Sequence, residues 1–144
     1  MDSLRRLNLL PAALAVAAVV FMAGCDKPSD LNESSPNLKH ITQGEFGDEV
    51  TGCPQPVVVA FYATWSGPCR QLTPLLDRVA GGYTGRLKFV KVNVDESPGL
   101  AQNYQIQVMP TILLFKHDKL ADRLAGLPPE AELTNKLDAL VAAK

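Results

Sequence analysis

Cysteine and histidine are scarce in this chain. Three cysteines and two histidines in 144 residues, with His40 and His117 far apart, give no metal-ligand spacing, so no metal site is expected. An excess of charge of one sign is lacking too: 14 basic and 15 acidic side chains nearly cancel. No basic patch occurs, and no alternation of basic with aromatic residues, which argues against nucleic acid as a partner. There is no internal repeat. No apolar run reaches the roughly 20 residues that a membrane-spanning helix needs. The longest apolar stretch, Leu7 to Met22, is interrupted by Asn8 and Pro11.

That stretch reads as a targeting segment. Arg5 and Arg6 precede it, and the small residues Ala23 and Gly24 lead from it to Cys25. A basic start, an apolar middle of about 7–15 residues and a small-residue end define an export signal. The cysteine placed directly after Ala23-Gly24 makes the segment resemble a bacterial lipoprotein signal, with Met22 standing where leucine is more usual. The resemblance implies that residues 1–24 are a signal peptide and that Cys25 opens the mature chain and carries lipid. An uncleaved anchor and a plain secretory signal are the alternatives. Several buried acyl methylenes at about 0.8 kcal/mol each would hold such a chain on a membrane. Asp26 resembles an inner-membrane retention signal of enteric bacteria. The expected location is therefore exported and membrane-anchored, facing the periplasm or the cell exterior, on the inner membrane in a Gram-negative cell. Asp26 to Lys39 is polar, with Pro28 and Pro36 and few apolar residues. Residues 25–39 therefore read as the lipidated cysteine and a flexible tether, because such composition cannot bury a core.

Without residues 1–24 the chain keeps 120 residues, with 12 basic and 14 acidic side chains, enough for one domain with a real core. Residues 40–144 supply it. His40-Ile41-Thr42 ends a short edge strand, and Thr42 with Glu45 has capping-box spacing before a short helix carrying Phe46 and Val50. The continuous run Val57–Tyr62 reads as a central strand buried on both faces. A helix from Pro68 carries Leu72, Leu75, Leu76 and Val79, with Pro74 inside it, where an interior proline kinks a helix at a cost of about 3 kcal/mol. Leu87–Asp95 is a second buried strand, joined to the first by a right-handed crossover. A helix follows Ser97-Pro98. Then Thr111–Phe115 and Leu120–Leu124 form two strands turned at Lys116–Lys119. A final amphipathic helix, about Pro129 to Ala142, shows Leu133, Leu137, Leu140 and Val141 on one face. The fold class is α/β, a central mixed sheet flanked by helices on both faces.

Cys53 and Cys69 lie on either side of the Val57–Ala63 strand. Seven strand residues at about 3.3 Å each span roughly 23 Å, whereas bridged Cα atoms lie within about 7 Å. A disulfide between them is not expected, and Cys53 reads as a loop thiol without a role.

This element order, with Phe61, Trp65, Gly67-Pro68-Cys69, Pro74, Lys91-Val92-Asn93-Val94-Asp95, Pro98, Met109-Pro110-Thr111 and Gly126, resembles thioredoxin over about residues 40–144. The resemblance implies a thioredoxin-like fold and a thiol–disulfide oxidoreductase ancestry with no cofactor. In that family the motif before the helix is Trp-Cys-Gly-Pro-Cys: the first cysteine attacks a disulfide as thiolate and the second resolves the mixed disulfide. Here the attacking position holds Ser66. A serine hydroxyl does not ionise unaided, and no histidine or lysine lies nearby in sequence to act as its base. Ser66 reads either as a helix N-cap, for which serine is favoured, or as a direct substrate contact. The family's buried aspartate is matched by Ala60, which leaves Lys91, its usual neighbour, as a strand-end lysine reaching solvent. Cys69 is either an inert buried thiol or a candidate single thiol for exchange. Met109-Pro110 resembles the family's cis-proline loop, which pairs with extended substrates. The expected partners are client protein or peptide segments, cysteine-bearing or not, bound by Trp65, Gly67, Pro68, Met109 and Pro110 without a full dithiol cycle. The alternative is monothiol disulfide exchange through Cys69 with an external thiol.

Overall fold

The structure, a computed structural model, describes residues 35–143. The signal segment, Cys25 and most of the tether lie outside the described residues. Five strands form one sheet: β1 Lys39–His40, β2 Val57–Tyr62, β3 Lys88–Asn93, β4 Thr111–Lys116 and β5 Lys119–Ala125. Their spatial order is β1-β3-β2-β4-β5. Helices α1 Gly67–Gly81, α2 Pro98–Asn103 and α3 Glu130–Ala142 connect or follow them, with a π-helical turn at Gly47–Thr51.

β2 is the spine. It runs parallel to β3, with Val57 opposite Lys88 and Tyr62 opposite Asn93, and antiparallel to β4, with Val57 opposite Phe115 and Phe61 opposite Thr111. All its residues are buried, as a strand covered on both faces requires. Alternation sorts its side chains. Val58 and Ala60 join a core with Phe89, Ile112 and Leu114 beneath Leu72 and Leu76 of α1 and Leu133 and Leu137 of α3. Val57, Val59 and Phe61 join a second core on the other face, with Phe46, Val50 and Leu100. Each core excludes water from one face of the sheet, and apolar burial of this kind supplies most of the folding free energy.

The short N-terminal helix expected from the sequence is a π-helical turn in which Phe46 and Val50 do face the core. Its capping box is half made: the Thr42 N–H and hydroxyl both donate to Glu45 Oε2 at 2.9 Å. Glu49 then takes Lys39 of β1 and Lys88 of β3 on its two oxygens, at 2.7 and 2.5 Å. On the opposite face, Tyr83 donates its hydroxyl to Asp138 at 2.6 Å and Arg78 pairs with Glu130 at 2.6 Å, holding α1 to α3.

Candidate functional site

β2 delivers the chain to a tight turn. Ser66 N–H donates to the Ala63 carbonyl at 3.2 Å, and α1 begins at Gly67 with Pro68 in its first turn. Proline suits that position because the first N–H groups of a helix have no intrahelical partner. Ser66 is the N-cap residue, in extended backbone at φ −88° and ψ 119°. Its hydroxyl makes no cap hydrogen bond, so of the two readings the sequence left open the capping one holds for position only. The reason is local. An N-cap oxygen takes the N–H of the second or third helical residue. Here the second is Pro68, which has none, so only Cys69 could donate.

The sheet topology gathers the other site residues at the same end. β3 is parallel to β2, so the segment after Asn93 leaves beside the β2 turn, and Trp65 Nε1 donates to Asp95 Oδ2 at 3.1 Å. β4 is antiparallel to β2, so the loop before Thr111 arrives there too. Within that loop the Met109–Pro110 peptide bond is cis, and the Thr111 hydroxyl donates to the Val108 carbonyl at 2.7 Å. Gly126 N–H donates to the Pro110 carbonyl at 2.8 Å. Trp65, Gly67, Pro68, Met109 and Pro110 thus share one end of the sheet. Trp65 is 68% exposed, and Val108 and Leu127 are also exposed. Sequence reading missed these last two, since lone apolar loop residues carry no periodicity. Their positions beside Met109 and Gly126 were the only clue.

Beneath this rim lies Cys69, 1% exposed, on the α1 side of the sheet. Ala60 of β2 stands opposite Lys91 of β3. Lys91 does not reach solvent as expected. It is 2% exposed, because alternation along β3 turns it under α1, and its Nζ lies 5.8 Å from the centre of the Tyr62 ring. Burial lowers its pKa, opposed by the Asp77 carboxylate of α1. The Tyr62 phenol is pushed up to about 12, first by burial and then by Glu96 and Cys69. Tyr62 was read only as a strand residue, and nothing in a buried apolar run marks one aromatic as a neighbour of the thiol. His40 Nε2 lies 3.3 Å from Glu96 Oε2 but is too poorly aligned to make a hydrogen bond.

Cys53 and Cys69 are both free thiols. Cys53 is half-buried against the second core, away from the site. Among the described residues no cluster of three or more His, Cys, Asp or Glu side chains could hold a metal. Chemically, the site offers a helix N-terminus, an apolar rim, a cis-proline loop and one buried sulfur.

A mixed sheet whose central strand feeds a helix N-terminus beside a cis-proline loop defines the thioredoxin-like class. The thioredoxin family model matches residues 37–139. Thioredoxin 1 of Synechococcus elongatus is 41% identical over 98 residues, covering 68% of this chain and 92% of its own. A thioredoxin-like protein of Synechocystis sp. is 38% identical over 96 residues, 67% of this chain and 91% of its own. The chloroplastic thioredoxin M-type of Pisum sativum is 37% identical over 106 residues, 74% of this chain and 62% of its own. The chain belongs to the thioredoxin family and is related to thiol–disulfide oxidoreductases.

Proposed function

We propose that this protein is a membrane-tethered thioredoxin-family module that binds extended or cysteine-bearing client segments without completing a dithiol redox cycle. Trp65, Met109 and Pro110 form the client groove, and Ser66 replaces the attacking cysteine. One observation carries this reading: the residue at the helix N-cap has a hydroxyl, and the thiol behind it, on Cys69, is 1% exposed. Disulfide exchange needs an accessible thiolate. The same burial counts against monothiol exchange through Cys69. Lipid on Cys25 and the polar segment that precedes β1 hold the domain at the membrane, facing the periplasm or cell exterior.

The test is reduction of a protein disulfide with a dithiol as reductant, for the native chain, Cys69→Ala and Ser66→Cys. The native chain and Cys69→Ala give no turnover above background, and Ser66→Cys gains it. Native turnover that depends on Cys69 contradicts the reading. The intact mass of the same protein, isolated from membranes, carries a lipid-sized increment on Cys25. An unmodified Cys25 contradicts the anchor.

A further inference from the structure

The loop that carries Met109 and Pro110 starts where α2 ends. α2 is six residues long and closes on a left-handed cap. The Gln105 N–H donates to the Gln102 carbonyl at 3.0 Å, and the Ile106 N–H to the Ala101 carbonyl at 2.8 Å. Gln105 takes φ +52°, at the position in such a cap that glycine usually fills. A side chain is disfavoured there and persists only where its surroundings fix the backbone. Arg123 of β5 supplies fixing groups. Its Nη2 donates to the Tyr104 carbonyl at 2.5 Å and its Nη1 to the Gln105 carbonyl at 3.3 Å. Register explains the reach. Arg123 stands opposite Leu113 of β4, so both side chains take the same face of the sheet. On that face the Tyr104 ring packs with Phe46, Phe61 and Phe115 in the second core. The last carbonyls of a helix lack intrahelical partners and carry its negative end, which suits a guanidinium. Three residues further along, the Gly126 N–H holds the Pro110 carbonyl. β5 and the residue after it therefore hold the loop at both ends, and the Thr111 hydroxyl on the Val108 carbonyl braces it between.

We infer that Arg123 is the positioning residue of the client groove. It acts through the loop, setting where the Met109–Pro110 wall stands relative to Trp65. This rests on the client-binding reading and adds the residue that gives the groove its shape. The two walls differ in what fixes them. Trp65 follows β2, which is buried along its whole length. Between α2 and β4 the chain has neither helix nor strand, so the place of the other wall depends on these few hydrogen bonds. A loop that must be ordered by its ligand weakens binding, and a loop already held does not. Arginine suits the task because its planar fork reaches two successive carbonyls at once.

The test uses the full-length chain and alkylated insulin B chain, a tryptophan-free extended probe. The single tryptophan of the chain, Trp65, reports binding by fluorescence. Arg123 is exposed, so its replacement leaves both cores intact. Arg123→Met keeps the length of the side chain without its donors, and Arg123→Lys restores one cationic donor. Arg78→Met, which breaks the exposed pair with Glu130 on the opposite face, is the control for loss of a surface contact. Arg123→Met is expected to bind about tenfold more weakly than the native chain, the scale of one hydrogen bond to a charged group. Arg123→Lys recovers part of that loss, and Arg78→Met binds as the native chain does. Amide hydrogen exchange of the unbound proteins is expected to quicken across residues 104–110 in Arg123→Met, with β2 and α1 at native rates. Native affinity in Arg123→Met overturns the inference and leaves the groove standing. Equal weakening in Arg78→Met overturns it too, since the effect then follows stability rather than the loop. Unchanged exchange across 104–110 in Arg123→Met overturns it whatever the affinities. A native chain that does not bind the probe contradicts the client reading and this inference with it, an outcome told apart because no variant is needed to see it.

Discussion

At the scale of single residues, the site turns on what each backbone position permits. Pro68 deprives Ser66 of one of its two possible capping donors, and its hydroxyl makes no cap hydrogen bond. Gly126 has φ +83°, in the left-handed region that favours glycine. Its N–H holds the carbonyl of Pro110, so its conformation anchors the loop that walls the groove. No atom lies within 4 Å of where a Cβ would stand, so Gly126→Ala tests conformation alone. It should lower unfolding free energy by about 1–2 kcal/mol in denaturant titrations. No measurable loss would show that the loop relaxes. Much of this layer was legible: Trp65, Gly67, Pro68, Cys69, Met109 and Pro110 could be named from motif and spacing. Lys91 could not be placed, because a lysine's ordinary preference for water is overridden by the alternation of β3 under α1. The missing cap hydrogen bond of Ser66 was equally hidden, since serine at an N-cap usually does cap.

At the scale of elements, charge pairs tie the sheet edge to the N-terminal segment. Glu49 in the π-helical turn accepts from Lys39 and Lys88, and these hydrogen bonds hold its carboxyl down to about 2, against an ordinary 4.5. A depressed acid contributes stability above its unfolded value and loses it as pH falls through the folded one. That contribution should therefore fade between pH 4.5 and about 2. Glu49→Gln should flatten this part of the acid limb of a thermal-unfolding profile, while leaving the shape above pH 5 unchanged. An acid limb identical to that of the native chain would remove Glu49 from the account. The strands and the three α-helices could be read from the sequence because apolar runs and helical spacing decided them. The hairpin turn was marked by the run Lys116–Lys119, and in the structure His117 and Asp118 take positive φ, 48° and 65°, as tight β-hairpin turns demand. The π-helical turn was beyond reach, since its apolar spacing fits an ordinary helical turn equally well.

At the scale of the whole molecule, two cores cover the two faces of a five-stranded sheet, and the functional residues stand where β2 and β4 meet at one end. Layered burial secures the fold and also bears on the proposed function. The packing that seals α1 onto β2 also seals Cys69 away from solvent. Under the binding-module proposal, an extended client meets Trp65 and the Met109–Pro110 loop but no thiol. The most direct check is to expose the native chain to an aromatic disulfide reagent and map adducts by mass. Cys69 in the folded protein should stay unmodified while half-buried Cys53 reacts, and should label only as denaturant unfolds the chain. An adduct on Cys69 forming in the folded state as fast as that on Cys53 would contradict the proposed binding module.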